Sequence, residues 1–406
     1  MNGIYKLFFT VVLVAFSHQA LFALEEKNDV NSLHAEQTSS GYEAALISVI
    51  DAIQKPDLSL GLELIDAHLE SFPRSREGHL LRADILHAMS GALSELGEHE
   101  LISAEDLKNF KHQLNNRLKH VGVEADKANS LIPANLISLG KHKHLMVADL
   151  DNGRLYLYKN DSGRPVLIRD YYLTIGSEGY GKEVRGDNRT PVGVYEINSH
   201  IEGKKLPDKY GKGAFPINYP NRHDRFLKRT GSGIWLHGTR SSTYARSPWA
   251  SEGCFVLSND DLLDIAQYIS VEERTPVVLS DSVEWLDEQA YLRKQSEYLA
   301  VIDKWKQDWE SLDMNAYLKH YSLESFDFGK GSYQSWVKRK FTVNKAKTFV
   351  QLDLDINSLF IYPDDTEMFV VKFKQRYLSN NYSAESEKEL YWQKDSKGQW
   401  KIIYEG

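Results

Sequence analysis

The sequence predicts a multidomain α+β protein with a helical N-terminal domain, a β-rich middle domain and a C-terminal α+β cone. Three observations predict this. The chain has 406 residues, too many for one ordinary hydrophobic core. The apolar period changes from helical to alternating near Ala134. Beyond residue 282, a long aromatic-rich helical stretch precedes a run of long alternating segments.

The elements follow in order. Lys6, the apolar run "LFFTVVLVAF" and the small residues up to Ala23 read as a secretory signal peptide over residues 1–23. The run is shorter than the roughly 20 residues that cross a bilayer. The expected location is therefore the periplasm, with a polar lead-in over residues 25–40. The helical domain is assigned to residues 24–133. "LSLGLELIDAHLESFP" places Leu60, Leu64, Ile65 and Leu69 on one face, and Pro73 stops it. "SREGHLLRADILHAMSG" repeats the device with Leu80, Leu81, Ile85, Leu86 and Met89, ended by Gly91. The pair resembles one tetratricopeptide-type unit. A single unit cannot bury its own face, so a helical domain packed on its neighbour is expected.

Residues 134–282 read as strands with few helices. "HLMVADLDNGRLYLYK" alternates around Asp151-Asn152-Gly153, a hairpin signal. "PVLIRDYYLTIG", "TPVGVYEI", "GSGIWLHG" and "TPVVLS" are further strands, and "DDLLDIAQYI" is helical. Residues 290–406 open with helices broken near Leu312-Asp313 and continue as antiparallel strands with long hairpins.

Composition narrows the function. Hydrophobic residues make up 42% and aromatics 11%, which fits folded protein rather than disorder. The formal net charge of −8 argues against a nucleic-acid or anionic-membrane partner. There is 1 cysteine, Cys254. In an exported chain it has no intramolecular disulfide partner, so the thiol is either an inert buried group or a functional one.

Its neighbours favour function. In "IWLHGTRSSTYARSPWASEGCFVLSND", His237 stands at a strand end before Gly238. The Ser-, Thr-, Gly- and Pro-rich segment that follows can return the chain to His237, and Gly253 before Cys254 permits close backbone approach to a substrate. A thiol paired with an imidazole base performs acyl transfer through attack on a carbonyl, an oxyanion held by N–H groups, and release of an amine.

These residues resemble the L,D-transpeptidases, the YkuD-type catalytic domain. Their pattern is a His followed by Gly or Ser and, after a loop, Ser/Thr-His-Gly-Cys and an apolar residue. Here it reads His237-Gly238, then Ser251-Glu252-Gly253-Cys254-Phe255, supported upstream by "LYLY", "YYLTIG" and "NRTPVGVYEI". The resemblance implies Cys254 as nucleophile, His237 as base, the Gly238 carbonyl as orienter of the imidazole, and the N–H groups of Gly253 and Cys254 as the oxyanion hole. Glu252 replaces the usual His, and Val256 stands where many members carry an Arg. Trp235, Ser251, Glu252, Arg222 and Arg240 are candidate substrate contacts. No metal or cofactor is required.

The order "W…DW.S.D...Y...Y" and then "YW…GQWKI" over residues 290–406 resembles the nuclear transport factor 2 (NTF2)-like fold. Together the domains are similar to a branch of cell-shape L,D-carboxypeptidases of helical bacteria that carry such a C-terminal domain. The implied substrate is the peptidoglycan stem peptide. Three readings stand: an L,D-transpeptidase passing the acyl group to an amine, an L,D-carboxypeptidase passing it to water, and a catalytically silent murein-binding scaffold.

Other features carry less. "KHKH" places His142 and His144 on one strand face as a candidate metal pair, and without a third ligand nearby the solvated-strand reading is preferred. "GSEGYGKEVRG" lacks the Gly-Lys-Ser/Thr ending of a phosphate loop and is read as a mobile loop beside the site. Arg185 and Arg189 join Arg222 and Arg240 as loop cations suited to a carboxylate. The aromatics of the C-terminal domain suggest core packing together with a surface for a glycan or protein partner.

Overall fold

The computed structural model describes residues 41–91, 103–105, 107–117, 131–326, 332–364 and 366–406. The expected signal peptide and polar lead-in lie outside the described residues. Among the described residues no helix is long and apolar enough to cross a membrane.

The N-terminal layer contains helices Gly41–Gln54, Leu58–Ser71 and Arg76–Ser90, and a further helix over residues 107–117. Asp57 caps the second by accepting the Leu60 N–H at 3.0 Å, and Ser75 caps the third by accepting the Gly78 N–H at 3.0 Å. Gly91 ends the third at φ 72°, a left-handed conformation that suits glycine. Leu46, Val49, Ile65, Leu81, Ile85, Phe110 and Leu114 form its core. Leu60, Leu86 and Met89 are exposed, because the apolar stripe in the sequence is wider than the face this thin layer covers.

Buried charge ties the layer to the β domain. The Glu43 carboxylate accepts from Arg117 Nε at 2.8 Å and from Arg154 at 3.4 Å, and Arg154 also pairs with Asp170. All four are buried. Burial opposes the charge on Arg117 and Arg154. Glu43 for the first, and Asp170 and Glu43 for the second, more than offset it and hold both guanidinium pKa values above the ordinary range.

Two short strands, β1 (Ile132–Pro133) and β2 (Leu136–Ser138), precede the β domain. Its strands are β3 (His144–Asp149), β4 (Arg154–Asp161), β5 (Arg164–Tyr172), β6 (Ile175–Gly176), β7 (Gly193–Glu196), β8 (Ile201–Glu202), β9 (Gly213–Pro216), β10 (Trp235–His237), β11 (Trp249–Ser251), β12 (Phe255–Val256) and β13 (Pro276–Ser280). One sheet has the order β5-β4-β3-β13-β7, a second β12-β10-β9-β8, and β6 pairs with β11. Met146, Leu155 and Tyr195 from the first sheet meet Phe215, Leu236 and Phe255 from the second in one core.

After β14 (Trp285–Leu286), helix Glu288–Glu310 ends at Leu312, whose φ is 63°. Asp313 then caps helix Met314–Leu318 by accepting the Asn315 N–H at 2.9 Å and the Ala316 N–H at 3.2 Å. Helix Tyr333–Lys345 follows, and then the meander β15 (Val350–Ile361), β16 (Met368–Ser379), β17 (Tyr382–Lys394) and β18 (Trp400–Glu405). The sheet order is β18-β17-β16-β15-β2. β2, assigned from sequence to the middle domain, thus completes the C-terminal sheet, because long-range pairing decides where so short a strand belongs.

The aromatics of this domain are mostly core. Trp305, Trp392, Tyr317 and Tyr321 are 2% exposed or less and pack between the helices and one face of the sheet. The core packing expected from the aromatic content is thus present, while Phe341, Phe349 and Tyr382 are exposed. The other face of the sheet places Phe360, Met368, Val370 and Tyr391 against Leu145, Val147, Tyr156 and Val278 of the middle domain. The two domains thus share an apolar cluster at their junction, beside a core of each one's own.

Candidate active site

β10 and β12 are parallel neighbours, with Leu236 opposite Phe255 and His237 opposite Val256. Side chains alternate along a strand, and residues in register share a face. Leu236 and Phe255 are both 0% exposed and point into the core. Trp235, His237 and Cys254, one step before Phe255, therefore lie on the opposite face. The His237 carbonyl accepts the Leu257 N–H at 3.0 Å, which locks the two strand ends together.

His237 is 3% exposed, and its Nδ1 lies 2.6 Å from the Gly238 carbonyl oxygen. A carbonyl only accepts, so Nδ1 carries the proton and Nε2 presents a lone pair. The Tyr210 ring stands edge-on at 5.0 Å. Burial lowers the His237 pKa to about 4, with the Gly238 hydrogen bond opposing it and Arg246 and Lys209 adding to it.

The Cys254 thiol donates to the Gly233 carbonyl at 3.5 Å. Its surroundings push its pKa up to about 11, burial first. The Trp235 N–H lowers it, the Glu252 carboxylate raises it, and Lys209 and Arg246 oppose that rise. The resting pair is a neutral thiol and a neutral imidazole.

The loop that carries the thiol is held by side chains. Thr190 Oγ1 accepts the Gly176 N–H at 2.9 Å and donates to the Gly253 carbonyl at 3.1 Å. Gly253 has φ 108°, and a Cβ there would stand 2.7 Å from the Arg189 carbonyl oxygen. A Cβ at Gly238 would stand 2.3 Å from Asn259 Oδ1, which accepts the Lys212 N–H at 3.0 Å while Asn259 Nδ2 donates to the Thr239 carbonyl at 2.9 Å. Both positions require glycine for close approach.

The other sequence candidates divide. Trp235 is partly buried against Tyr210, with ring centroids 5.0 Å apart. Ser251 is buried and serves the loop, its hydroxyl donating to the Cys254 carbonyl at 2.5 Å and accepting the Gly253 N–H at 3.1 Å. Its hydroxyl is thus engaged within the loop both as donor and as acceptor. It also engages the Gly253 N–H that was assigned to the oxyanion hole. Glu252 is exposed and lies 3.5 Å from Lys209. Arg240, Arg185 and Arg189 are exposed.

Arg222 is not at this site. Its guanidinium lies over the Tyr404 ring at 4.3 Å and lines a cavity of about 280 Å³ between the middle and C-terminal domains. Sequence adjacency to the "NYP" turn concealed that this segment faces the other domain. In the 176–186 loop, buried Lys182 donates to Asp187 at 2.5 Å and to the Val184 carbonyl at 3.1 Å. His142 is buried in the turn before β3 rather than solvated. Lys209, Tyr210 and Arg246 were not singled out from sequence, where nothing marks them. Thr190 had a signal in its Thr-Pro-x-Gly turn.

Comparison with known proteins agrees with this architecture. Residues 143–279 match the L,D-transpeptidase catalytic domain, and residues 297–406 match the Cds6 C-terminal NTF2-like domain. The structure is similar to Bd1075 of Bdellovibrio bacteriovorus, with TM-score 0.60 and 27% identity over 68% of this chain and 97% of that one. It is similar also to the helical cell shape determining protein Pgp2 of Campylobacter jejuni, with TM-score 0.55 and 27% identity over 67% of this chain and 95% of that one. No curated protein matches the chain. The chain thus joins an L,D-transpeptidase catalytic domain of the YkuD family to a C-terminal NTF2-like domain.

Proposed function

We propose that this protein is an exported cysteine acyltransferase acting on peptidoglycan stem peptides. The observation that carries the reading is the fixed His237 tautomer, which aims a free Nε2 lone pair from the strand face that Cys254 shares. The thiol attacks the carbonyl at the L-centre of a diaminopimelate-type third residue. Its proton passes to Nε2 as the S–C bond forms. The imidazolium then protonates the departing D-alanine nitrogen as the C–N bond breaks, leaving a thioester. With pKa values of about 11 and about 4, proton removal accompanies attack rather than preceding it.

An amine acceptor gives a 3–3 cross-link, the transpeptidase outcome. A second reading has water as acceptor and a tripeptide as product. It is favoured by the loop between His237 and Cys254, which is packed under the N-terminal helices through Tyr244, stacked on Tyr42 with ring centroids 5.4 Å apart. A loop held in this way adapts less to a bulky acceptor than to water. The likeness to the helical cell shape determining protein supports a role in cell shape, and the apolar N-terminal stretch after Lys6 supports an extracytoplasmic location.

The test is incubation of the mature protein with purified disaccharide-tetrapeptide, read by mass spectrometry, with Cys254→Ala as control. Dimer supports transfer to an amine and tripeptide alone supports transfer to water. Unchanged substrate overturns the enzymatic reading and leaves the murein-binding scaffold.

A further inference from the structure

We propose that Arg246 receives a carboxylate of the substrate beside Cys254, and that the N-terminal helical layer holds it there for that purpose. The inference rests on the acyl-transfer reading and adds to it the residue that selects an anionic peptide.

Arg246 is half-buried, and its guanidinium donates to the neutral Ala250 carbonyl at 2.6 Å. Among the described residues no carboxylate forms an ion pair with it. Glu252, the acid nearest in sequence, pairs with Lys209 instead. A guanidinium has five N–H donors in a planar fork, matched to a carboxylate. Removing such a group from water without a countercharge is costly, so a position built this way is completed by an anion.

The position is built. The Arg246 carbonyl accepts three hydrogen bonds, from Gln113 Nε2 at 3.0 Å, the Tyr172 hydroxyl at 3.0 Å and Thr174 Oγ1 at 3.2 Å. Gln113 belongs to the N-terminal layer. So do the partners of the flanking residues. Tyr244 stacks on Tyr42 and meets Phe72 edge-on at 5.2 Å, Ala245 lies in the helical core, and Trp249 meets His112 edge-on at 5.4 Å. The backbone of Arg246 is thus fixed, and its guanidinium bonds the Ala250 carbonyl in the strand that leads to the Cys254 loop. It interacts electrostatically with both Cys254 and His237, and Arg240 adds a second positive charge beside it.

The substrate of the acyl-transfer reading carries two carboxylates near the scissile bond. One is on the terminal D-alanine and the other on the side-chain centre of the third residue. Both offer the same chemistry to Arg246, and substrate analogues separate them.

The experiment measures kcat/KM for the mature full-length wild type, Arg246→Gln and Arg246→Lys on three tetrapeptides: the free acid, the terminal amide and the third-residue side-chain amide. Arg246→Gln is expected to lose about 10–100-fold on the free acid, with partial recovery in Arg246→Lys. Wild type is expected to lose a similar factor on whichever amide removes the recognised carboxylate. Arg246→Gln should lose nothing further on that amide. Equal losses by Arg246→Gln on all three substrates overturn the proposal and leave Arg246 a structural residue. If wild type itself fails on the free acid, the acyl-transfer reading has failed first, and this outcome is distinct from the other.

Discussion

The Thr190 hydroxyl donates to the carbonyl of Gly253 at 3.1 Å while accepting the Gly176 N–H at 2.9 Å. One side chain thereby joins the end of β6 to the residue before Cys254. Thr190→Val keeps the shape and leaves a buried N–H and a buried C=O without partners. The expected cost is about 1–3 kcal/mol of stability for each unsatisfied group. The acylation rate should fall while the thiol remains present. Denaturant titration and single-turnover kinetics check both effects, and wild-type values in both would remove the loop-positioning role.

Gly253→Ala is the sharper backbone test. At φ 108°, with the Arg189 carbonyl oxygen 2.7 Å from the added Cβ, the loop must move. Turnover should drop by orders of magnitude in a protein that still folds, because the strained site lies in a loop and not in the core. A crystal structure showing an unmoved loop with full activity would contradict the argument.

Thiol reactivity has a pH signature. With the Cys254 pKa at about 11, alkylation by iodoacetamide should be slow at neutral pH and rise about tenfold per pH unit up to that value. A plateau reached near pH 8 would mean a thiolate already formed at rest. Turnover should not follow this curve, because His237 takes the proton during attack. With its pKa at about 4, His237 stays a competent base across the neutral range.

His68, His223 and His237 are buried, and burial lowers each pKa from 6.5 to about 4. The unfolded chain binds protons at these positions below its pKa of 6.5, whereas the folded chain resists them until about 4. Their contribution is complete above 6.5 and declines as pH falls from 6.5 to 4, by roughly 3 kcal/mol for each group. The urea midpoint should therefore drop between pH 7 and pH 4.5. The drop should be smaller in His68→Gln, and an equal drop would rule out His68 as a contributor.

Glu43→Ala leaves Arg117 and the Glu43 side of Arg154 without their carboxylate in a buried setting. The loss should be about 3–5 kcal/mol. Because the same helical layer holds the loop through Gln113 and Tyr42, limited proteolysis of the variant should cut first at 239–250. Cleavage elsewhere with this loop protected would show that layer and loop are independent.

The sequence by itself determined the three-part order of the chain, the break at Leu312-Asp313, and the pairing of His237-Gly238 with Gly253-Cys254 as the stretch to watch. These are local facts. Apolar period, capping residues and turn-forming residues act within a few residues and are visible in a linear string. Only the tertiary structure decided that β2 completes the C-terminal sheet, that Arg222 faces Tyr404 rather than the thiol, and that the Ser251 hydroxyl is used inside its own loop. It alone brought Gln113 and Tyr42 onto the segment that carries Arg246. Those outcomes depend on which distant surfaces bury one another. Residues such as Glu43 and Arg154, far apart in the chain, acquire a relationship only when water is removed from around both.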